Sequence, residues 1–287
     1  MASERLIKRR IKSAGNIAKI TKAMQMMAAS KMKKAQNLAL SGRPYAQKIA
    51  EMVSTFVAKI DADKHALLKI NEKGKTLIVL ISTNKGLCGG FNANLTRSIV
   101  KWFKEEDLKN FVFVTMGKRG ENFLVRNQRT LIADFSDNLP YSKHIGSVTK
   151  YIVDGYIKGE FKEVYLVYNN FISALQQDPT NKKILPMSEF NLSGNEADKT
   201  KPLEFIVEPK IETILDSLLI NYLENQVRDA IMESAASEHS ARMIAMKNAT
   251  DNALELMDLL TLEYNKARQE KITYEIAEIV PARLAVE

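Results

Sequence analysis

The run NKGLCGGFN, Asn84–Asn92, sets three glycines and the chain's one cysteine between an apolar, β-rich stretch and a helix-forming one. In open α/β folds a loop so placed is where backbone N–H groups hold a phosphate. Its spelling fits neither G-x-x-x-x-G-K-[ST] nor G-x-G-x-x-G. Gly86, Gly89 and Gly90 are therefore expected to serve a tight turn and close backbone approach. Cys88 as a nucleophile needs a base beside it. The three histidines, His65, His144 and His239, stand in no catalytic context and read as packed or solvated side chains. One cysteine with three dispersed histidines also fits a zinc site poorly. Asp251, Glu255 and Asp258, at i, i+4 and i+7, share a helix face. Paired carboxylates can do general acid–base work. On a long helix without a pocket they read instead as a solvated stripe or as a partner for a basic helix. No catalytic residue, metal ligand or cofactor is expected.

The elements that must position these residues are legible by period. From Lys210 to Val280 there is neither Gly nor Pro, the residues that end helices. This predicts one helix of roughly 100 Å. Its apolar marks are Ile211, Ile214, Leu215, Leu218 and Tyr222, then Leu256, Leu259 and Leu260, then Ile272, Ile276 and Ile279, at steps of three and four. The N-terminal run carries Ile7, Ile11, Ala14, Ile17, Ile20, Met24, Met27, Met32 and Ala35 at the same steps, with a soft interruption at Gly42 and Pro44. The two ends pair as an antiparallel coiled coil. Their charges agree: residues 1–59 hold thirteen Lys/Arg against two Glu, and residues 210–280 hold thirteen Asp/Glu against seven Lys/Arg. Between Ser234 and Ala253 the seam turns to alanine and methionine, residues that allow close approach and irregular filling.

In the middle the period changes. TLIVLIST (Thr76–Thr83), NFVFVTMG (Asn110–Gly117) and EVYLVYNNF (Glu163–Phe171) read as buried strands, and Phe91–Glu106 and His144–Ile157 as helices between them. Alternation of this kind predicts a small open, Rossmann-like α/β sheet. Leu203–Val207 is expected as a last strand and Asn191–Pro202 as a surface loop. The fold class is thus α/β with a long terminal coiled coil, organised as a 1–60 helix, a 75–208 α/β domain and a 210–287 helix. No stretch is apolar enough to span a membrane, and the basic start has no secretory h-region behind it. The lone cysteine suits a reducing compartment. A basic N-terminal helix invites nucleic acid, but no aromatic occurs in the first 44 residues to stack bases, and no nucleic-acid motif is present. An acidic protein partner is favoured.

Three long segments carry a family resemblance: KITKAMQMMAASKMKKA (Lys19–Ala35), STNKGLCGGFN (Ser82–Asn92), and SEHSARMIAMKNATDNA with YNKARQEKITYEIAEIV near the C-terminus. Together they resemble the γ subunit of F-type ATP synthase, of the bacterial type. The resemblance implies a rotor shaft without chemistry of its own. Its coil would stand in a ring of alternating α and β subunits, its foot on the c-ring beside the ε subunit, coupling proton flow to ATP synthesis or hydrolysis. It implies no cofactor, no nucleic acid, and a peripheral place on the cytoplasmic face of the bacterial inner membrane, reached only through the complex. By matching motif, Met24 and Lys22 become neighbours of an acidic β-subunit loop. Arg268, Gln269 and Thr273 become upper contacts and Arg242 a further contact inside the ring. Phe205 and Glu208 in FIVEP become the contact with c-ring and ε. Two departures stand out: Asn84–Lys85 where the family has an acidic residue and Arg, and Pro281, which can cap or kink the tip so that the last helix ends early or sits differently in the top of the bearing. The competing readings are a nucleotide-binding α/β enzyme with oligomerisation helices and a basic coiled-coil scaffold for nucleic acid.

Overall fold

The computed structural model describes residues 4–57, 65–103, 110–136, 141–187 and 211–284. In chain order these form α1 (Glu4–Val57), β1 (Lys75–Ile81), α2 (Phe91–Trp102), β2 (Val112–Met116), α3 (Lys118–Arg126), β3 (Thr130–Asp134), a 3-10 turn (Tyr141–His144), α4 (Ile145–Ile157), β4 (Phe161–Phe171), β5 (Gln177–Leu185) and α5 (Ile211–Leu284). The expected strand Leu203–Val207, the loop Asn191–Pro202, and Phe205 and Glu208 lie outside the described residues. The chain packs as two units, one of Met1–Ala29 with Arg242–Glu287 and the other of Ser30–Ala241.

The larger unit is built on a five-stranded sheet of order β3-β2-β1-β4-β5. β1 is parallel to both β2 and β4, with Ile78 beside Phe113 on one side and Tyr165 on the other. β3 extends the parallel set and β5 closes it antiparallel. A central parallel strand is covered on both faces and so reads as an unbroken apolar run. Successive side chains of TLIVLI then serve two cores. Leu77, Val79 and Ile81 join Val53 and Phe56 of α1, Val148 and Ile152 of α4, and Leu219 and Leu223 of α5. Ile78 and Leu80 join Leu95 and Ile99 of α2 and Leu124 of α3. The strands expected at Thr76–Thr83, Asn110–Gly117 and Glu163–Phe171 appear as β1, β2 and β4, and the helices expected at Phe91–Glu106 and His144–Ile157 as α2 and α4. The structure adds α3, β3 and β5, whose sequences KRGENFLVR, TLIAD and QDPTNKKIL are short or polar. β5 tolerates Pro179 and two lysines because it is an edge.

α1 does not break at Gly42 and Pro44. Pro44 and Leu40 are both exposed, so the carbonyl that loses its bond faces water. Nor does Pro281 end the last helix early: α5 continues to Leu284, and Ala277, four residues back, is exposed.

The smaller unit is an antiparallel helix pair. Thr21 Oγ1 lies 2.7 Å from Thr250 Oγ1, and the Tyr264 hydroxyl donates to Glu4 at 3.0 Å. Gly15 faces Met257. The inward positions of α1 run Ile7, Ile11, Ala14, Ala18, Thr21, Gln25 and Ala28, a strict alternation of four and three. Those of α5 run Met246, Thr250, Ala253, Met257, Leu260, Tyr264 and Ala267. This is heptad spacing, but its phase corrects the expectation. Ile20 is 60 % and Met27 58 % exposed, Ile17 also faces out, and Leu256 and Leu259 do the same on α5. Ala18, Thr21 and Ala28 take the buried positions.

Candidate functional site

The glycine loop is a structural joint. Ser82 Oγ donates to Gly117 O at 2.9 Å and accepts from Gly120 N at 2.8 Å. Asn92 Nδ2 donates to Thr83 Oγ1 at 2.8 Å and to Cys88 Sγ at 3.3 Å. Thr83 Oγ1 in turn donates to Lys85 O at 2.8 Å. Asn84 spans two neighbouring segments: its Nδ2 donates to Ser136 O at 2.8 Å, and its Oδ1 accepts from Lys118 N at 2.9 Å. These bonds tie the ends of the loop to the segments that follow β2 and β3. Gly86 is filled from outside by the Arg119 guanidinium, 2.9 Å from where a Cβ would stand. Cys88 is buried, and Gly89 turns with φ +59°. The structure therefore favours the turn-forming reading of these glycines over the phosphate reading.

The histidines are likewise occupied by packing. His65 Nε2 sits 2.6 Å from Asp216 Oδ1, and the His144 ring lies 5.8 Å from Phe135. His239 is half-buried on α5 and has an interaction partner.

The surface that asks for a partner lies on the smaller unit. On α1, Ile17, Ile20, Met24 and Met27 recur at three, four and three, a ridge beside the seam and outside it. On α5, Leu256, Leu259, Leu262, Ile272 and Ile276 are exposed. Exposed apolar side chains in such number along two paired helices mark an interaction surface. Lysines border the ridge. Lys22 is exposed and, with Gly15, Ala18, Lys19, Thr250, Asp251, Leu254 and Met257, lines an open groove of ≈ 500 Å³. The small side chains of Gly15 and Ala18 create the depression, and Asp251, from the carboxylate stripe, sits across from the lysines.

Met24 is half-buried at the edge of the ridge. Gln269 and Thr273 share one face, with Thr273 Oγ1 donating to Gln269 O at 2.9 Å. They border a second open depression of ≈ 480 Å³ with Lys266, Glu270, Tyr274 and Ala277. Arg268 is exposed on an adjoining face near Tyr264. Arg242 is half-buried and already partnered. The structure thus brings Gln269 and Thr273 together and sets Met24 and Lys22 close in sequence on one helix. Hydrophobicity alone does not distinguish Ile17, Ile20, Leu256 and Leu259, which lie on the surface, from the buried positions beside them. Among the described residues no helix is long and apolar enough to cross a membrane.

The comparisons agree with this geometry. A family model described as ATP synthase matches residues 3–286. The ATP synthase gamma chains of Methylacidiphilum infernorum (isolate V4) and Dehalococcoides mccartyi (strain CBDB1) are each 42 % identical to this chain, with all of both chains covered. The rotor of Euglena gracilis mitochondrial ATP synthase has the same fold, with TM-score 0.67 at 18 % identity over 94 % of this chain and 99 % of that one. The central stalk/c-ring structure of Tetrahymena thermophila mitochondrial ATP synthase gives TM-score 0.58 at 26 % identity, covering 80 % of this chain and 99 % of that one.

Proposed function

The chain belongs to the ATP synthase gamma-chain family, and from that premise we infer that it is the central rotor stalk of an F-type ATP synthase, transmitting torque between the c-ring and the catalytic ring of α and β subunits. One observation of this chain carries the reading furthest: the apolar ridges of its paired terminal helices face outward. A rotor surface must touch many positions of its bearing without settling in one. Methionines and isoleucines beside mobile lysines make polarizable, shifting contacts of that kind. Met24 and Lys22 are assigned to an acidic β-subunit loop, Arg242 to a contact within the ring, and Arg268, Gln269 and Thr273 to the upper bearing. Phe205 and Glu208 are assigned to the c-ring and ε contact. Each rotary position of the shaft stabilises a different set of β-subunit conformations, which is coupling between distant sites.

With no membrane-crossing helix among the described residues, the chain is held at the membrane by its complex. The full-length bacterial relatives support a place on the cytoplasmic face of the inner membrane. The direct test mixes purified α and β subunits with and without this chain, and assays the chain alone. A chain inert by itself that converts the mixture into a stable complex with sustained ATP turnover supports the rotor. ATP hydrolysis by the chain alone, indifferent to α and β, overturns it.

A further inference from the structure

Past Ala14, in the smaller unit, α1 has two stripes it could bury against α5. The observed seam runs Ala18, Thr21, Gln25 and Ala28, while Ile17, Ile20, Met24 and Met27, each one residue earlier, form the ridge beside it. Both stripes continue from Ile7, Ile11 and Ala14, so the large side chains at that end do not select between them. Burying the ridge needs a second step of three after Ala14, a stammer that overwinds the helix locally, and a roll of about 100° beyond it. On apolar area alone the rolled seam is the better one. It would bury two isoleucines and two methionines in place of two alanines, a threonine and a glutamine. The facing stretch of α5 does not decide either: its buried positions there are Met246, Thr250 and Ala253, and methionine adapts to the surface it meets.

One bond across the seam distinguishes the stripes. Thr21 Oγ1 lies 2.7 Å from Thr250 Oγ1. Thr21 Oγ1 also reaches Ile17 O of its own helix at 2.9 Å, and Thr250 Oγ1 reaches Met246 O at 2.8 Å. Each hydroxyl has one proton to give, so one threonine donates to its own helix and accepts from the other. Either direction completes the bond. Thr250 is buried. In the rolled seam it would face Ile and Met side chains, which offer a hydroxyl no partner. A polar residue at a single inward position fixes alignment in helix pairs whose apolar contacts do not.

We propose that the Thr21–Thr250 pair is a phase lock: it holds α1 with its less apolar stripe inward and so keeps Ile17, Ile20, Met24 and Met27 on display. Thr21 and Thr250 are thus positioning residues for that surface. That the displayed ridge serves the catalytic ring rests on the rotor reading above, whereas the lock is tested on the full chain without partners. Cysteines are placed singly at adjacent positions of the two stripes, Met27→Cys and Ala28→Cys, in the parent and in Thr250→Val. Maleimide-labelling rates are read peptide by peptide, which sets the buried Cys88 apart. Met27 is exposed and Ala28 buried, so in the parent the first thiol labels fast and the second slowly. Thr250→Val keeps the shape and removes the hydroxyl. The lock predicts that labelling then falls about threefold or more at position 27 and rises by a similar factor at position 28. Thr21→Ser, which keeps a hydroxyl, should behave as the parent does. Thr21→Val should repeat the effect, and decides the matter by the same two rates if Thr250→Val does not fold. A pair that only stabilises the coil predicts both rates rising together as the helices open, or neither changing, and either result overturns the lock. Failure of the parent chain to form an active complex with α and β overturns the rotor reading instead and leaves the labelling result standing.

Discussion

Glu163 and Glu233 are both partly buried, yet their titrations run in opposite directions. Burial pushes the Glu163 carboxyl up, but the hydrogen bond and charge of Lys183, its Nζ 2.7 Å away, with the Tyr165 hydroxyl and Lys162, outweigh burial and leave it below the usual range. Its contribution to stability is present above the ordinary carboxylate range and is lost as pH falls through the folded value. Glu163→Gln is therefore expected to lower the denaturation midpoint at neutral pH and to leave it unchanged in acid. For Glu233, burial and then the Asp229 charge win over Tyr168, Arg43 and Lys182, so the carboxyl lies above the usual range. The folded chain holds that proton more readily than the unfolded chain, and stability falls as pH rises through the folded value. Glu233→Gln should raise the midpoint at neutral pH and converge with the parent in acid. Denaturant titrations of the two variants across pH check both signs. Gly117 and Gly159 make a second contrast. Both have positive φ, but a Cβ on Gly117 would collide with the Ser82 backbone, while Gly159 faces open space. Gly159→Ala should cost about 1 kcal/mol for its φ alone. Gly117→Ala should cost roughly 3 kcal/mol or more, because backbone must move.

At the scale of the element, α1 shows what the sequence makes legible and what it hides. The steps of three and four announce the helix, and Ile7, Ile11 and Ala14 lie on its true seam. Past Ala14 two phases compete: Ile17–Ile20–Met24–Met27 is the more hydrophobic, Ala18–Thr21–Gln25–Ala28 the buried one. Periodicity cannot choose between them, because an isolated chain buries its most apolar stripe and a chain made for a partner need not. The sheet was easier where strands are buried on both faces, as TLIVLI is. It was hidden where an edge strand such as QDPTNKKIL shows neither alternation nor hydrophobicity. The glycine loop could be separated from a phosphate site by spelling alone, but the Asn84 bonds to Ser136 and Lys118 depend on strands far apart in sequence. The phase of α1 predicts a mutational asymmetry. Ala28→Leu overfills a buried position and should cost about 1–3 kcal/mol in the isolated chain. Ile20→Ala, at an exposed position, should change the isolated chain by less than about 0.5 kcal/mol and act instead on the ATP turnover of the assembled complex. Thermal melts of the free chain, set beside turnover of the complex, separate the two effects.

At the scale of the whole molecule, the two units have unequal means of holding together. The larger one buries the sheet on both faces with Leu, Ile, Val and aromatic side chains. In the smaller one the buried apolar residues are mainly alanines, with Ile7, Met246 and Leu260 the large exceptions. Burying a Leu or Ile side chain contributes about 1.5–3 kcal/mol and a methyl group far less, while each ordered residue costs about 1–2 kcal/mol of backbone entropy. A helix pair with so few large knobs therefore opens at lower free energy than the sheet, and single-transition behaviour is not expected of the free chain. Hydrogen exchange on the isolated protein should show the amides of residues 4–29 and 242–277 exchanging well ahead of those of β1, β2 and β4. In the assembled complex, where the outward ridges of Ile17–Met27 and Leu256–Leu259 would be covered, protection of these helices should rise while that of the sheet stays nearly constant. Equal protection of both units in the free chain would mean that the alanine seam packs more strongly than its buried area allows. The outward apolar ridges would then be surplus to the stability of the coil and would serve its rotation alone.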